Sequence, residues 1–132
     1  MNGRYQYPPA LRLLRPAEFK AVFDGATFKV GQSQFLLLAR PNGLEHARLG
    51  LVIAKKKVRL AVERNRIKRV TRDCFRLQQD VLPAVDLLLI ARQDLSVVEN
   101  VDFRAALLDA MKRLTKKAKR QAPVDTGDTP GH

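Results

Sequence analysis

Runs of apolar residues, separated by turn-forming residues, divide the chain into short elements. The segment Arg15-Pro16-Ala17-Glu18 has the composition of a helix start, because proline suits the first helical position and an acid suits the first turn. We expect this helix to end at Gly25. Three strands are then predicted between glycine, proline and asparagine residues, at positions 28–30, 34–39 and 49–54. We expect these three strands to pair as an antiparallel meander.

The apolar pattern changes to the period of a helix after Arg59. At about 100° per residue, one arc of roughly 100° contains Leu60, Ile67, Val70, Cys74 and Leu77. Pro83 limits the end of this helix, and residues 87–91 are typical of a buried strand. A last helix is capped by Asn100 or Asp102. Its apolar stripe comprises Phe103, Leu107, Ala110, Met111 and Leu114.

These elements predict an α+β fold in the order helix, strand, strand, strand, helix, strand, helix. The 132 residues, 45% of them hydrophobic, are enough for one domain with a small core. We place that domain at residues 11–120. Residues 1–10 are predicted to be a flexible lead that ends at Pro8-Pro9. Residues 121–132 are rich in proline, glycine and threonine and are predicted to be a disordered tail.

Positive charge is concentrated in residues 55–76, which hold ten Lys or Arg against two acids, Glu63 and Asp73, in a chain of net charge +12. On the predicted helix, a band of about 140° away from the apolar arc contains Arg64, Asn65, Lys68, Arg69, Arg72 and Arg76. Bases four residues apart repel by a few tenths of a kcal/mol, roughly, for each pair. Such a face is typical of a helix that neutralises successive phosphates.

Other functional classes lack their characteristic patterns in this sequence. No apolar run approaches the roughly 20 residues of a membrane span, and the basic helix lacks the bulky aromatics of a membrane-lying helix. We therefore expect no membrane partner and a cytoplasmic location. The heptads of a basic-zipper DNA reader are missing after Leu77. Neither His46 nor His132 lies near a cluster of acids, and the pair Glu45-His46 is interpreted as a loop coincidence. The single Cys74 is predicted to be a core residue.

The segment Arg64-Asn65-Arg66, inside AVERNRIKRVTR and preceded by GLVIAKKKVR, resembles the signature of the bacterial ribonuclease P protein subunit. The resemblance covers about residues 11–119, through the FKAVF helix and the QFLLLAR, RLGLVIA and DLLLIAR strands. It implies an α/β sandwich whose βαβ crossover has the rare left hand, which the residues alone do not predict. The alternatives are a small ribosomal or other RNA-assembly protein, a DNA-binding regulator that uses a helix and a sheet, and a protein-only nuclease.

The resemblance also implies a function within a ribonucleoprotein. Its large RNA would be the catalyst that removes the 5′ leader of precursor tRNA, and the RNA would hold most of the Mg²⁺. The protein would assist the binding of substrate and metal, with no catalytic residue, metal ligand or organic cofactor of its own. Its partners would be the catalytic RNA, one molecule per protein monomer, and precursor tRNA, but not DNA.

Two groups of site residues follow from the resemblance. The surface that faces the catalytic RNA would comprise Lys56, Lys57, Arg59, Arg64, Asn65, Arg66, Lys68, Arg69 and Arg72. A cleft for the single-stranded leader would comprise Phe19, Phe23, Phe35, Leu36 and Leu38, the last of these standing where other members carry an aromatic residue. Stacking of a base on an aromatic ring contributes about 1 to 3 kcal/mol with little sequence preference, which suits leaders of many sequences.

Overall fold

A computed structural model of the chain describes residues 11–121. Its helices and strands are α1 (Pro16–Gly25), β1 (Phe28–Gly31), β2 (Phe35–Pro41), β3 (Arg48–Val52), α2 (Ala61–Gln78), β4 (Val85–Ala91) and α3 (Asn100–Gln121), with a short 3₁₀ turn at Leu95–Val97 before α3. The predicted order of elements is confirmed. The predicted flexible lead, and the predicted tail from residue 122 onward, lie outside the described residues.

The four strands form one sheet in the order β1-β2-β4-β3. β2 pairs antiparallel with both β1 and β4, whereas β3 pairs parallel with β4. The predicted meander is therefore wrong after its first hairpin, because β4 lies between β2 and β3. A strand that is apolar on both faces fits this central position. The β3-α2-β4 crossover that follows from this order is present, and its left hand stays a prediction.

Helices α2 and α3 cover one face of the sheet, called here the α2–α3 face, and build the main core. The ring of Phe35 on β2 meets that of Phe103 on α3 edge to face, with 5.9 Å between centroids. The predicted apolar stripe of α3 is confirmed, since all five of its residues are buried. No helix in residues 11–121 is both long enough and apolar enough to cross a membrane.

The apolar side of α2 differs from its prediction at both ends. Ile67, Val70 and Cys74 are buried as expected, and Thr71 and Phe75 join them. Leu60 and Leu77, which were predicted to share that side, are both exposed. They stand just before the helix and in its last turn, so only the middle of α2 is pressed against the core.

The opposite face of the sheet, called here the α1 face, carries three rows of side chains across β2, β4 and β3. The paired residues of these rows are Arg40, Asp86 and Arg48; then Leu38, Leu88 and Gly50; then Leu36, Ile90 and Val52. Val22 of α1 and Leu13 pack on the middle row. Leu36, Ile90 and Val52 stay partly exposed, and we call these three residues the open row.

Candidate nucleic-acid interface

The basic turn between β3 and α2 is fixed to the protein at Val58. The Val58 side chain is fully buried, and the backbone N–H groups of Lys57 and Val58 donate to the carbonyl of Ala54 at 2.9 and 3.0 Å. Arg64 adds a second fixing point, because its Nη1 donates to the carbonyls of Val58 and Arg59 at 3.0 and 2.9 Å. Lys56, Lys57 and Arg59 are therefore exposed cations on a well-held turn.

Arg66 points into the protein and not outward. Its guanidinium donates to the carboxylate of Glu63 at 2.8 Å and to the side-chain oxygen of Asn100. It also donates to the carbonyls of Leu95, Ser96 and Val98 at 3.2 to 3.3 Å. Arg66 thus joins α2 to the 3₁₀ turn and to the start of α3. Its predicted contact with RNA stays a prediction, while the structure gives it a clear structural role.

The cations in the middle and second half of α2 point outward. Four polar side chains project from the surface of α2, and we call them the α2 ridge: Asn65, Arg69, Arg72 and Arg76. Together with Asp73 they border a shallow groove. Asp73 accepts from Arg76 on its own helix and from Arg104 on α3, so it neutralises part of the ridge. Lys68 and Arg69 form no ion pair with any residue in the range 11–121.

Lys68 and Arg72 also line a recess of about 220 Å³ beside β3, together with Arg12, Leu13 and Phe19. The partly exposed ring of Phe19 lies over Gly50 on β3. A methyl group at position 50 would come within 2.8 Å of Cε2 of Phe19, so the ring takes this position because residue 50 has no side chain. The fold therefore brings an aromatic ring of α1 and two cations of α2 to one site.

A partly buried ion-pair network holds α1 on the sheet, and sequence reasoning did not find it. Arg48 on β3 donates to both carboxylate oxygens of Asp86 on β4, at 2.8 and 2.7 Å, and to Glu18 on α1 at 3.1 Å. The hydrogen bond to Asp86 raises the pKa of Arg48. The sequence feature that could have revealed this network is Asp86, an acid in the otherwise apolar strand β4, which pairs in register with Arg48.

Glu18 completes this network at the start of α1. Its Oε1 accepts from the backbone N–H groups of Leu14 and Arg15 at 2.7 and 3.0 Å. The bond from Arg15, and to a smaller extent the bond from Leu14, hold the pKa of Glu18 below its ordinary value. The charge of Arg48 lowers the pKa further. Because Phe19 is the next residue, the network sets the position of its ring.

The residues predicted for the leader cleft lie in different environments. Phe19 lines the recess, Leu36 belongs to the open row, and Phe23 is 49% exposed on α1. Leu38 is only 6% exposed because α1 covers it. The assignment of Phe35 to the cleft is wrong, since its side chain is fully buried on the α2–α3 face.

Alternation along β2 explains this correction and identifies two residues that were missed. Residues 35 and 36 of a strand point to opposite faces, so Phe35 and Leu36 never share a surface. Val52 and Ile90 lie beside Leu36 in register and complete the open row. They were missed because the register between β2, β4 and β3 cannot be known before the strand order.

Two residues considered for chemistry are in structural positions. Cys74 is fully buried, which confirms the prediction of a core residue, and burial raises the pKa of its thiol. His46 lies in the loop between β2 and β3, with Nδ1 3.3 Å from the carbonyl of Ala47. Within residues 11–121, no group of three or more His, Cys, Asp or Glu side chains is arranged to hold a metal ion.

Comparison with known proteins assigns the chain to a family. A family model described as Ribonuclease P matches residues 7–118. The chain belongs to the ribonuclease P protein family. The Ribonuclease P protein component of Pseudomonas entomophila is 48% identical over 121 residues, which cover 92% of this chain and 91% of that protein. The name marks each relative that carries it as the protein part of ribonuclease P, an endoribonuclease that also contains a partner RNA.

Solved structures of the ribonuclease P family agree with the fold. The RNase P protein of Staphylococcus aureus has a TM-score of 0.69 and 28% identity, and the match covers 83% of this chain and 95% of that one. The RNase P protein of Thermotoga maritima has a TM-score of 0.68 and 33% identity, covering 77% of this chain and 96% of that one. The sheet and three helices of this chain are therefore those of the family.

Proposed function

We propose that this chain binds the catalytic RNA of ribonuclease P and the 5′ leader of precursor tRNA, and so assists the Mg²⁺-dependent removal of the leader. One protein binds one RNA in the cytoplasm, and a single buried cysteine suits a reducing compartment. The observation that carries this proposal is the recess where Phe19 meets Lys68 and Arg72. An aromatic ring beside cations is a typical arrangement for binding single-stranded nucleic acid.

The basic turn and the α2 ridge support the contact with the catalytic RNA. Arg64 holds the turn in place by donating to the carbonyls of Val58 and Arg59. Arg66 holds α2 in place by donating to the carbonyls of Leu95 and Ser96. A rigid row of cations binds phosphates with less loss of side-chain freedom than a flexible one. In this proposal Arg64 and Arg66 act mainly by positioning, while Lys68, Arg69 and Arg72 contact phosphates.

The open row supports the contact with the leader. Its apolar side chains lie at the carboxyl ends of the parallel strands β3 and β4, next to the recess. The lysine-rich turn begins at Lys55, three residues after Val52, and Arg92 follows Ile90 by two residues. Bases can therefore contact Leu36, Ile90 and Val52 while the phosphates face cations, which needs no particular leader sequence.

We assign the chemistry to the RNA, because six of the eleven acids in residues 11–121 are in ion pairs and no three acids, His or Cys in that range group to hold a metal ion. The carboxylates in ion pairs are those of Glu18, Asp24, Glu63, Asp73, Asp86 and Asp109. A carboxylate that already accepts from a Lys or Arg side chain has fewer free lone pairs to offer a metal ion. The Mg²⁺ ions at the scissile phosphate are therefore assigned mainly to the RNA, and no protein residue is assigned as a metal ligand or a catalytic group.

The proposal is tested by cleavage of a 5′-labelled precursor tRNA at low Mg²⁺ concentration. Three reactions are compared: the protein alone, the cognate catalytic RNA alone, and the two together. We expect efficient cleavage at the mature 5′ end in the mixture. Cleavage by the protein alone would show a protein active site, and failure to stimulate the RNA would leave an RNA-assembly role.

The leader site is tested with Phe19→Leu, which keeps an apolar side chain over Gly50 and removes the aromatic ring. We expect binding of precursor tRNA to the holoenzyme to weaken by about 1 to 2 kcal/mol, roughly 5- to 30-fold, and binding of mature tRNA to stay the same. Phe28→Leu is the matched control, because Phe28 is buried in the main core. Equal losses for precursor and mature tRNA would remove Phe19 from the leader site.

A further inference from the structure

The second half of α3 carries a concentration of positive charge that is separate from the α2 ridge. Residues 112–120 contain six Lys or Arg and no acid, whereas residues 100–111 contain Asp102, Asp109 and a single arginine. Bases four residues apart on a helix repel each other. The helix macrodipole favours cations in the last turn only, so it does not explain the two cations at residues 112 and 113.

Several of these cations face one groove of about 360 Å³ between the end of α2 and α3. Gln78 and Val81 form one side of the groove, and we call the cations on its other side the α3 cationic surface: Lys112, Arg113, Lys116 and Lys119. Arg113 pairs with Asp109 at 2.8 Å. The three lysines are exposed and form no ion pair with a residue in the described part of the chain. Lys112 and Lys116 are about 6 Å apart along the helix axis.

Helix α3 and the recess lie toward opposite edges of the sheet, and the α3 cationic surface is on the side of α3 that faces the end of α2. Helix α3 packs on β1, where Lys117 donates to the carbonyl of Lys29 at 2.6 Å. Lys68 and Arg72 of α2 lie beside β3, the strand at the other edge. Three strand spacings separate these edges, about 14 Å. The groove of the α3 cationic surface begins just past the α2 ridge, since Gln78 follows Arg76 by two residues, and it places a second set of cations on a different helix.

We propose that the α3 cationic surface binds the phosphate backbone of a second segment of the catalytic RNA. This inference rests on the proposed function and adds a separate contact to it. Charge complementarity identifies the occupant, because three lysines that form no ion pair within residues 11–121 share one groove with the pair Arg113–Asp109. A lipid surface would require bulky apolar side chains beside the lysines, and the groove offers Val81 alone.

The test is the salt dependence of binding between the full-length protein and the catalytic RNA. The variant with Lys112→Ala, Lys116→Ala and Lys119→Ala removes three charges and keeps good helix formers. We expect the slope of log affinity against log salt concentration to become shallower by about 2 to 3. The matched control replaces the same three lysines by arginine, keeps the charges and should keep the slope.

The failure of this inference differs from the failure of the proposed function. If the wild-type protein binds and stimulates the RNA but the triple alanine variant keeps its slope, the α3 cationic surface does not contact RNA, and an acidic protein becomes the better occupant. If the wild-type protein does not bind the RNA, the proposed function itself is wrong. Asp109→Asn releases Arg113 from its ion pair and should make the slope steeper, by up to about 1.

Site-directed crosslinking identifies the RNA segment. Because the single native cysteine is buried and burial raises the pKa of its thiol, a new surface cysteine can be modified selectively. A photoreactive group on Lys116→Cys should crosslink to catalytic-RNA nucleotides different from those reached from Arg69→Cys. Glu45→Cys, in the loop between β2 and β3, is the control for random crosslinking. Identical nucleotides from positions 116 and 69, or crosslinks to precursor tRNA alone, would overturn the proposal.

Discussion

The two faces of the sheet differ in how completely helices cover them. On the α2–α3 face, the side chains of Phe35, Leu37, Leu87 and Leu89 are fully buried. On the α1 face, Leu88 is fully buried, but the open row keeps part of its surface exposed. One helix of ten residues covers this face, whereas two helices of 18 and 22 residues cover the other.

This difference separates stability from binding. The large apolar area buried by α2 and α3 supplies most of the free energy of folding, at about 25 cal/mol for each Å² removed from water. The α1 face then keeps exposed apolar side chains next to cations without a large loss of stability. Substitutions on the two faces should therefore have different consequences, and four predictions test this difference.

The largest expected effect is on the α2–α3 face. Phe35→Ala should lower the free energy of unfolding by about 3 to 5 kcal/mol, because it opens a cavity against Phe103. Phe23→Ala should lower it by less than about 1 kcal/mol, since the Phe23 side chain is already half exposed on α1. Urea unfolding followed by circular dichroism measures both values. Similar losses for the two variants would contradict the division between a core face and a binding face.

The second prediction separates two arginines of α2. Arg66→Ala removes the side-chain donor from the carbonyls of Leu95, Ser96 and Val98, of which Leu95 keeps the backbone N–H of Val98, and should cost about 2 to 3 kcal/mol of stability. Arg69→Ala removes the same charge from an exposed position, and should change stability by less than about 0.5 kcal/mol. Thermal unfolding of the two variants checks this. Equal stability would mean that the contacts of Arg66 contribute little to folding.

The third prediction concerns the close approach of α1 to β3. Gly50→Ala places a methyl group 2.8 Å from Cε2 of Phe19, and should lower stability by about 1 to 3 kcal/mol as the ring is displaced. In the Phe19→Leu background the same substitution should cost clearly less. A double-mutant cycle of unfolding free energies measures this coupling. A coupling near zero would show that Phe19 does not depend on the glycine.

The smallest effect concerns pH. The folded pKa of Glu18 lies below its ordinary value of 4.5, so its carboxylate stabilises the fold above that pH. This contribution is lost as the pH falls through the folded pKa. Glu18→Gln should therefore reduce the loss of stability in acid, by roughly 0.5 to 1 kcal/mol or less. Urea unfolding between pH 6 and pH 3 tests this, with Glu45→Gln as the control. If Glu18→Gln loses as much unfolding free energy between pH 6 and pH 3 as the wild type, the network does not hold α1.

Much of the fold could be predicted because its signals are local. The start of α1, the stripe of α3 and the cationic side of α2 each depend on residues within one element, whose period sets which side chains share a surface. The wrong meander had a different origin. The meander was wrong because β4 inserts between β2 and β3, although β4 begins some 33 residues after β3 ends. No local pattern reports such a long-range pairing.

The candidate site shows the same limit. The sequence by itself determined that one helix would carry a dense row of cations, and its signature identified the family. Only the tertiary structure decided that Phe19 meets Lys68 and Arg72, that Phe35 belongs to the core, and that Arg66 binds backbone carbonyls. The physical reason is that composition and period describe one element at a time. Which elements face each other depends on strand order and register, which are set by packing of the whole chain.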